Sequence, residues 1–111
     1  MPTPDSRLAA YCREYGIYPE PTYDGRFSSS MRYTYETIDH IFECIIRDVS
    51  SVPHEYKKKK IIEIDAIQRL RDVQWGFCKV SLMSSDKFVK DITTYKTRII
   101  SQTIRHYESL Q

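Results

Sequence analysis

Residues 31–52, MRYTYETIDHIFECIIRDVSSV, decide how the rest of the chain is read. Within them Met31, Tyr35, Ile38, Phe42, Ile45, Val49 and Val52 recur at alternating steps of four and three. That spacing keeps one side of an α-helix apolar along its length, as helices that interdigitate in a left-handed bundle require. Ile41 and Ile46 widen the stripe beyond a narrow two-stranded seam. Ser29 or Ser30 can cap the start, and Pro53, which has no N–H to donate, stops the helix. The spacing predicts a helix over 30–52. His54 and Glu55 leave a short connection, so the next helix should return antiparallel.

That next helix, 56–82, divides its apolar residues between two sides. At about 100° per residue, Ile62, Ala66, Leu70, Val73, Phe77 and Val80 fall together, and Ile64, Ile67, Trp75, Cys78 and Leu82 fall elsewhere. Asp65, Asp72 and Lys79 occupy one strip between them and Glu63 the other, while Arg71 intrudes on the second apolar side. A helix with two apolar sides needs two partners. One is the chain's own core. The other is covered either by the strap and first helix or by a second copy of the chain; we expect the second copy, with Ile64, Ile67, Trp75 and Cys78 in the interface and Trp75 as its aromatic anchor. Beyond it, Ser84 or Ser85 can cap a last helix over 85–109, with Asp86 in its first turn. Phe88, Ile92, Tyr95 and Ile99 there keep the same three-four spacing.

On the amino-terminal side, Asp5 or Ser6 can cap a short helix over 5–16 that Gly16 is placed to end. Residues 17–29, IYPEPTYDGRFSS, hold two prolines and a glycine and no helical period, so they read as an extended strap. The fold class expected is therefore all-α: one antiparallel bundle domain over 1–111, with three long helices, a short first helix and a strap. Only three glycines among 111 residues leave few sites for tight β-turns, which argues against a sandwich or barrel. No apolar run approaches a membrane span, and the start lacks the basic-then-apolar order of a signal peptide. Cys12, Cys44 and Cys78 are odd in number, widely separated and never in a C-x-x-C pair, as reduced thiols filling gaps between helices would be. A cytoplasmic protein without membrane contact is the expectation.

The motifs of the common catalytic classes are missing. There is no phosphate loop, dinucleotide fingerprint, H-E-x-x-H or nucleophile elbow. Glu36, Asp39, His40 and Glu43 share a helical face, but a di-metal bundle needs matching Glu-x-x-His ligands on other helices, so ion pairing or solvation is the reading. We expect no enzyme, cofactor or metal. The positive signal is charge. Residues 1–55 carry five arginines against nine carboxylates, a balance of −4, and residues 56–111 carry twelve cations against six carboxylates, a balance of +6. The net +2 hides that asymmetry. Lys57, Lys58, Lys59 and Lys60 crowd a helix start, where the macrodipole disfavours cations, so an external anion is expected to compensate. With Arg69, Arg71 and Lys79 further along, they form the candidate phosphate-directed site for RNA or DNA. A solvated surface remains the alternative.

From Phe27 onward the chain also resembles a family, the accessory variability determinants of diversity-generating retroelements, which are four-helix bundles related to the ribosomal RNA intervening-sequence proteins. The resemblance lies in Arg32-Tyr33-Thr34 opening a long apolar helix, the turn Lys57 to Lys60, Glu63-Ile64-Asp65 with Arg69-Leu70-Arg71, and Leu82-Met83-Ser84-Ser85-Asp86-Lys87-Phe88 leading into the last helix. It implies a homopentameric, positively charged bundle that binds a reverse transcriptase and its template RNA during cDNA synthesis. Two functional expectations follow: a nucleic-acid-binding accessory subunit, and an interaction or structural bundle with no nucleic-acid role.

Overall fold

The computed structural model describes residues 3–18 and 33–111. Four helices account for most of them: α1 (Pro4–Tyr15), α2 (Tyr35–Ser50), α3 (Lys59–Met83) and α4 (Lys87–Ser109). Among the described residues there is no strand, and the fold is an all-α bundle. Most of the expected strap, the seam residue Met31 and the caps Ser29 and Ser30 lie outside the described residues.

The helix boundaries shift by a few residues from the sequence reading, each for a local reason. α1 is capped by Thr3, not by Asp5 or Ser6. Pro4 takes the first helical position, where its fixed φ and missing N–H do no harm, and Ser6 completes a reciprocal capping box with Thr3. Gly16, at φ 70, ends α1 as expected, with the N–H of Ile17 donating to the Cys12 carbonyl at 2.8 Å. α2 begins at Tyr35 because the Thr34 hydroxyl accepts from the Thr37 N–H, and it ends at Ser50, ahead of Pro53. α3 starts three residues later than expected, since residues 53–58 form turns in which Tyr56 and Lys59 donate to the Pro53 and Tyr56 carbonyls. Asp86 caps α4 itself, its Oδ1 accepting from the Phe88 N–H at 2.8 Å, while the Ser84 hydroxyl braces Asp86.

α3 is the central helix and runs antiparallel to the other three. Its late residue Phe77 meets Tyr35 at the start of α2, and its early residue Lys59 meets Val52 just past the end of α2. Gln74 bonds Thr97 and Ser101 on α4, and Arg71 approaches Glu108 further along it. Lys79 bridges to Asp5 at the start of α1, and Arg69 to Glu14 near its end. The core is built from the seam of α2 (Ile38, Ile41, Phe42, Ile45, Val49), one side of α3 (Ala66, Leu70, Val73, Phe77), Ile100 and Ile104 of α4, and Leu8 of α1.

α1 is seated on α3 by polar chemistry as well as by Leu8. Asp72, read from the sequence as part of a charged strip between two apolar sides, is buried. It accepts from the Arg7 guanidinium at 2.8 and 2.9 Å and from the Tyr11 hydroxyl at 2.7 Å. Glu63 of the other strip is buried as well, close enough to Tyr107 to act with burial in raising that phenol's pKa. Gly76 supplies the close approach: a Cβ there would stand 2.9 Å from Ile38 Cδ1 and 3.2 Å from Leu8 Cδ1.

Candidate nucleic-acid interface

The lysine turn lies where α3 begins. Lys57, Lys58 and Lys60 are exposed, and among the described residues none has a carboxylate within ion-pair distance. Lys59 is different: it is half-buried, and its Nζ donates to the Val52 carbonyl at 3.2 Å. Nothing caps the helix at Lys58, and its first turn holds no acidic residue. Of the four lysines, Lys59 has a local contact that offsets the α3 macrodipole. Because α3 is antiparallel to its neighbours, the carbonyl ends of α2 and α4 lie at the same end of the bundle, and the partial negative charge there attracts cations. The Lys59 contact is made to a carbonyl just past the end of α2, and among the described residues Lys57, Lys58 and Lys60 make no such bond.

The remaining expected contacts divide. Arg69 is committed within the molecule. Its side chain is 17 % exposed, it donates to Glu14 at 2.8 Å, Asp65 at 2.7 Å and the Tyr15 hydroxyl at 2.7 Å, and it lies over the Tyr11 ring. Burial opposes its charge, but the bond to Glu14 and the surrounding negative groups outweigh that and hold its pKa above the usual arginine value. Lys79 is likewise engaged, bridging to Asp5 at 3.1 Å with its ammonium 5.0 Å from the centre of the Trp75 ring. Arg71 is exposed, with only a loose approach of 3.7 Å to Glu108. The expected set therefore forms no single patch. Arg69 and Lys79 turn toward α1, Arg71 toward α4, and the lysines sit about 18 Å along the axis from Arg71 at 1.5 Å per residue.

A different grouping appears once α4 is added. The Arg71–Glu108 and Gln74–Ser101 contacts fix which sides of α3 and α4 adjoin. Helical phase then places Lys60, Ile64, Arg71, Trp75, Cys78 and Leu82 of α3 on the same outer face as Lys87, Asp91, Arg98 and Arg105 of α4. All of these are exposed. Among the described residues, Lys60, Arg71, Lys87, Arg98 and Arg105 thus stand against only two carboxylates, Asp91 and Glu108, on that face. In the sequence the α4 cations look like scattered charges. Their common phase at 87, 98 and 105 is the signal that could have grouped them.

The expected subunit-interface residues also divide. Ile67 is 7 % exposed and belongs to the core of its own bundle, whereas Ile64 (52 %) and Trp75 (37 %) are open and Cys78 is exposed. Ile61, Leu82, Met83 and Phe88 are exposed too. On α2, Lys96 reaches across from α4 to lie 3.1 Å from Asp39, with its ammonium over the Phe42 ring. Among the described residues no group of His, Cys, Asp and Glu is placed to hold a metal ion. A cleft of about 210 Å³ opens between α1, α2 and α3, floored by Ile45, Val49, Val52 and Ile62, with Glu14, Asp48 and Asp65 at its mouth. Arg69 already neutralises Glu14 and Asp65. No described helix is long and apolar enough to cross a membrane. No known family model, curated protein or solved structure matches the chain.

Proposed function

We propose that this chain is a non-enzymatic, nucleic-acid-binding accessory protein that contacts RNA or DNA through the outer face of α3 and α4 and the neighbouring lysine turn. The observation that carries the reading is the set of exposed cations without ion-pair partners among the described residues, Lys60, Lys87, Arg98 and Arg105, joined by Lys57 and Lys58 at one end. Such charges bind phosphate by releasing counterions, with no need for base contacts. The form of the reading implied by the family resemblance is a subunit that assists a reverse transcriptase in copying RNA into cDNA in the cytoplasm. The test is a salt titration of polynucleotide binding. Replacing Arg98 and Arg105 with Gln should weaken binding to every sequence alike and reduce the salt slope by up to about one unit for each phosphate no longer neutralised. An unchanged slope in a folded variant defeats the reading.

A second reading rests on a different observation, the exposure of Ile61, Ile64, Trp75 and Leu82 along one side of α3. In it the chain is an interaction bundle that self-associates through that side, with a homopentamer as the form the resemblance implies. Light scattering decides it: assembly at micromolar concentration that Ile64→Glu abolishes favours this reading, and a monomer at that concentration removes it.

A further inference from the structure

Trp75 is the chain's single tryptophan and lies on the cationic face of α3 and α4. A tryptophan in a bundle of this size more often contributes its large ring to the core, yet this one is 37 % exposed while the core is filled by Phe77, Leu70, Val73 and the α2 seam. One side of the indole is held by Lys79, whose ammonium stands 5.0 Å from the ring centre and is itself fixed by Asp5 at 3.1 Å. The ring is therefore kept in place by a cation–π contact and an ion pair, not left to swing, and what it presents to solvent is a preorganised aromatic surface. Arg71 lies one turn before it on the same helix, and Gln74 beside it ties α3 to α4.

We infer that Trp75 is a stacking platform for an unpaired base, and that the face of α3 and α4 prefers single-stranded to duplex nucleic acid. This rests on the reading of that face as phosphate-directed. The chemistry separates the two substrates. In a duplex the bases are stacked on one another and an indole can gain only backbone or edge contact. In a single strand a base can leave its neighbour and lie on the ring, while Lys60, Arg71, Arg98 and Arg105 meet the flanking phosphates. Stacking is tolerant of sequence because every base has a π-face, so the preference should be for strandedness and not for a motif.

Because there is one tryptophan, its fluorescence reports the proposed contact directly. The full chain is titrated with a single-stranded oligonucleotide and with a duplex of equal length, at matched salt. Quenching by the single strand and not by the duplex, with roughly tenfold weaker single-strand binding in Trp75→Leu and an unaltered salt slope, is the expected result. Binding of both forms with equal affinity and no quenching overturns the inference but leaves the phosphate-directed reading standing. No binding of either form overturns both. A blue-shifted emission that polynucleotide does not change, together with an assembled species in light scattering, places Trp75 between copies of the chain and also overturns the inference. Should Trp75→Leu fail to fold, the quenching comparison on the unaltered chain still decides the matter.

Discussion

Asp72 shows how much of the molecule depends on single polar residues. Its carboxylate is buried and takes the Arg7 guanidinium and the Tyr11 hydroxyl from α1. A buried carboxylate that loses a hydrogen-bond donor forfeits about 1.5–3 kcal/mol, so Tyr11→Phe should cost about that much stability in a denaturant titration. A loss below about 0.5 kcal/mol would mean that water replaces the bond and α1 is not seated as described. Arg69 makes the complementary point. Engaged by Glu14, Asp65 and Tyr15, it should behave as a structural residue: Arg69→Gln should lower stability and leave the salt slope of polynucleotide binding unchanged. A slope reduced as in the Arg98 and Arg105 variants would return it to the binding surface. Neither role was legible in the sequence. Asp72 was read as part of a solvated strip and Arg69 as a phosphate contact, because helical phase records where a side chain points and not which helix arrives to cover it. The thiols were partly legible: Cys12 and Cys44 are free and buried between helices as gap-filling cysteines should be, whereas Cys78 is exposed and fills no gap.

At the scale of helices, the α2 seam was legible because it is long and periodic, and four of its expected residues, Ile38, Phe42, Ile45 and Val49, are core residues in the structure, as is Ile41 beside them. Helix ends were less so. Several Ser, Thr and Asp residues compete near each start, and the winner depends on neighbours such as Pro4 beside Thr3. The start of α3 remains locally unfavourable, with Lys58 at the N-cap providing no side-chain bond. The Lys58 backbone is helical (φ −87, ψ −4) and not the extended form in which a hydroxyl caps, so Lys58→Ser should raise stability by about 0.3–1 kcal/mol through relief of charge repulsion alone. A destabilised variant would mean that the attraction of the α2 and α4 carbonyl ends dominates at this position as well as at Lys59. Gly76 has the opposite character: helix propensity alone favours replacing it. Since Ile38 and Leu8 close over it and both are fully buried, Gly76→Val should lose about 1–3 kcal/mol by overpacking, read as a lower melting temperature. A melting temperature at or above the parent's would show that the helices can separate there at no cost.

For the molecule as a whole, the antiparallel setting of α3 against three neighbours sorts both charge and burial. The acidic half of the sequence supplies α1 and α2, the basic half supplies α3 and α4, and their outer face inherits the cations. The sequence showed that charge division but could not show that α1 settles against α3, because the docking pairs are more than fifty residues apart. The same docking gathers ionisable groups that burial keeps neutral. Burial pushes the Cys12 thiol up from 9.0 to about 11 and the Tyr33 phenol from 10.0 to about 12. Burial, then the bond to Asp72, raises Tyr11 further. Each is an acid whose folded pKa exceeds its unfolded value. In the unfolded chain these groups would ionise at lower pH, so the stability they confer is complete below about pH 9 and is lost as pH rises through the folded values. All three belong to α1 or, in the case of Tyr33, bond to it through the Asp5 carbonyl. Alkaline conditions should therefore loosen α1 before the α2–α3–α4 core. Trp75 reports this independently of total helix content, because Lys79 over its ring is held by Asp5 of α1. Between pH 9 and 12 its emission should change at a lower pH than the far-ultraviolet helical signal collapses, and Tyr33→Phe should move that first step upward. Coincident transitions, or a first step that Tyr33→Phe leaves in place, would show that α1 and the core unfold as one unit.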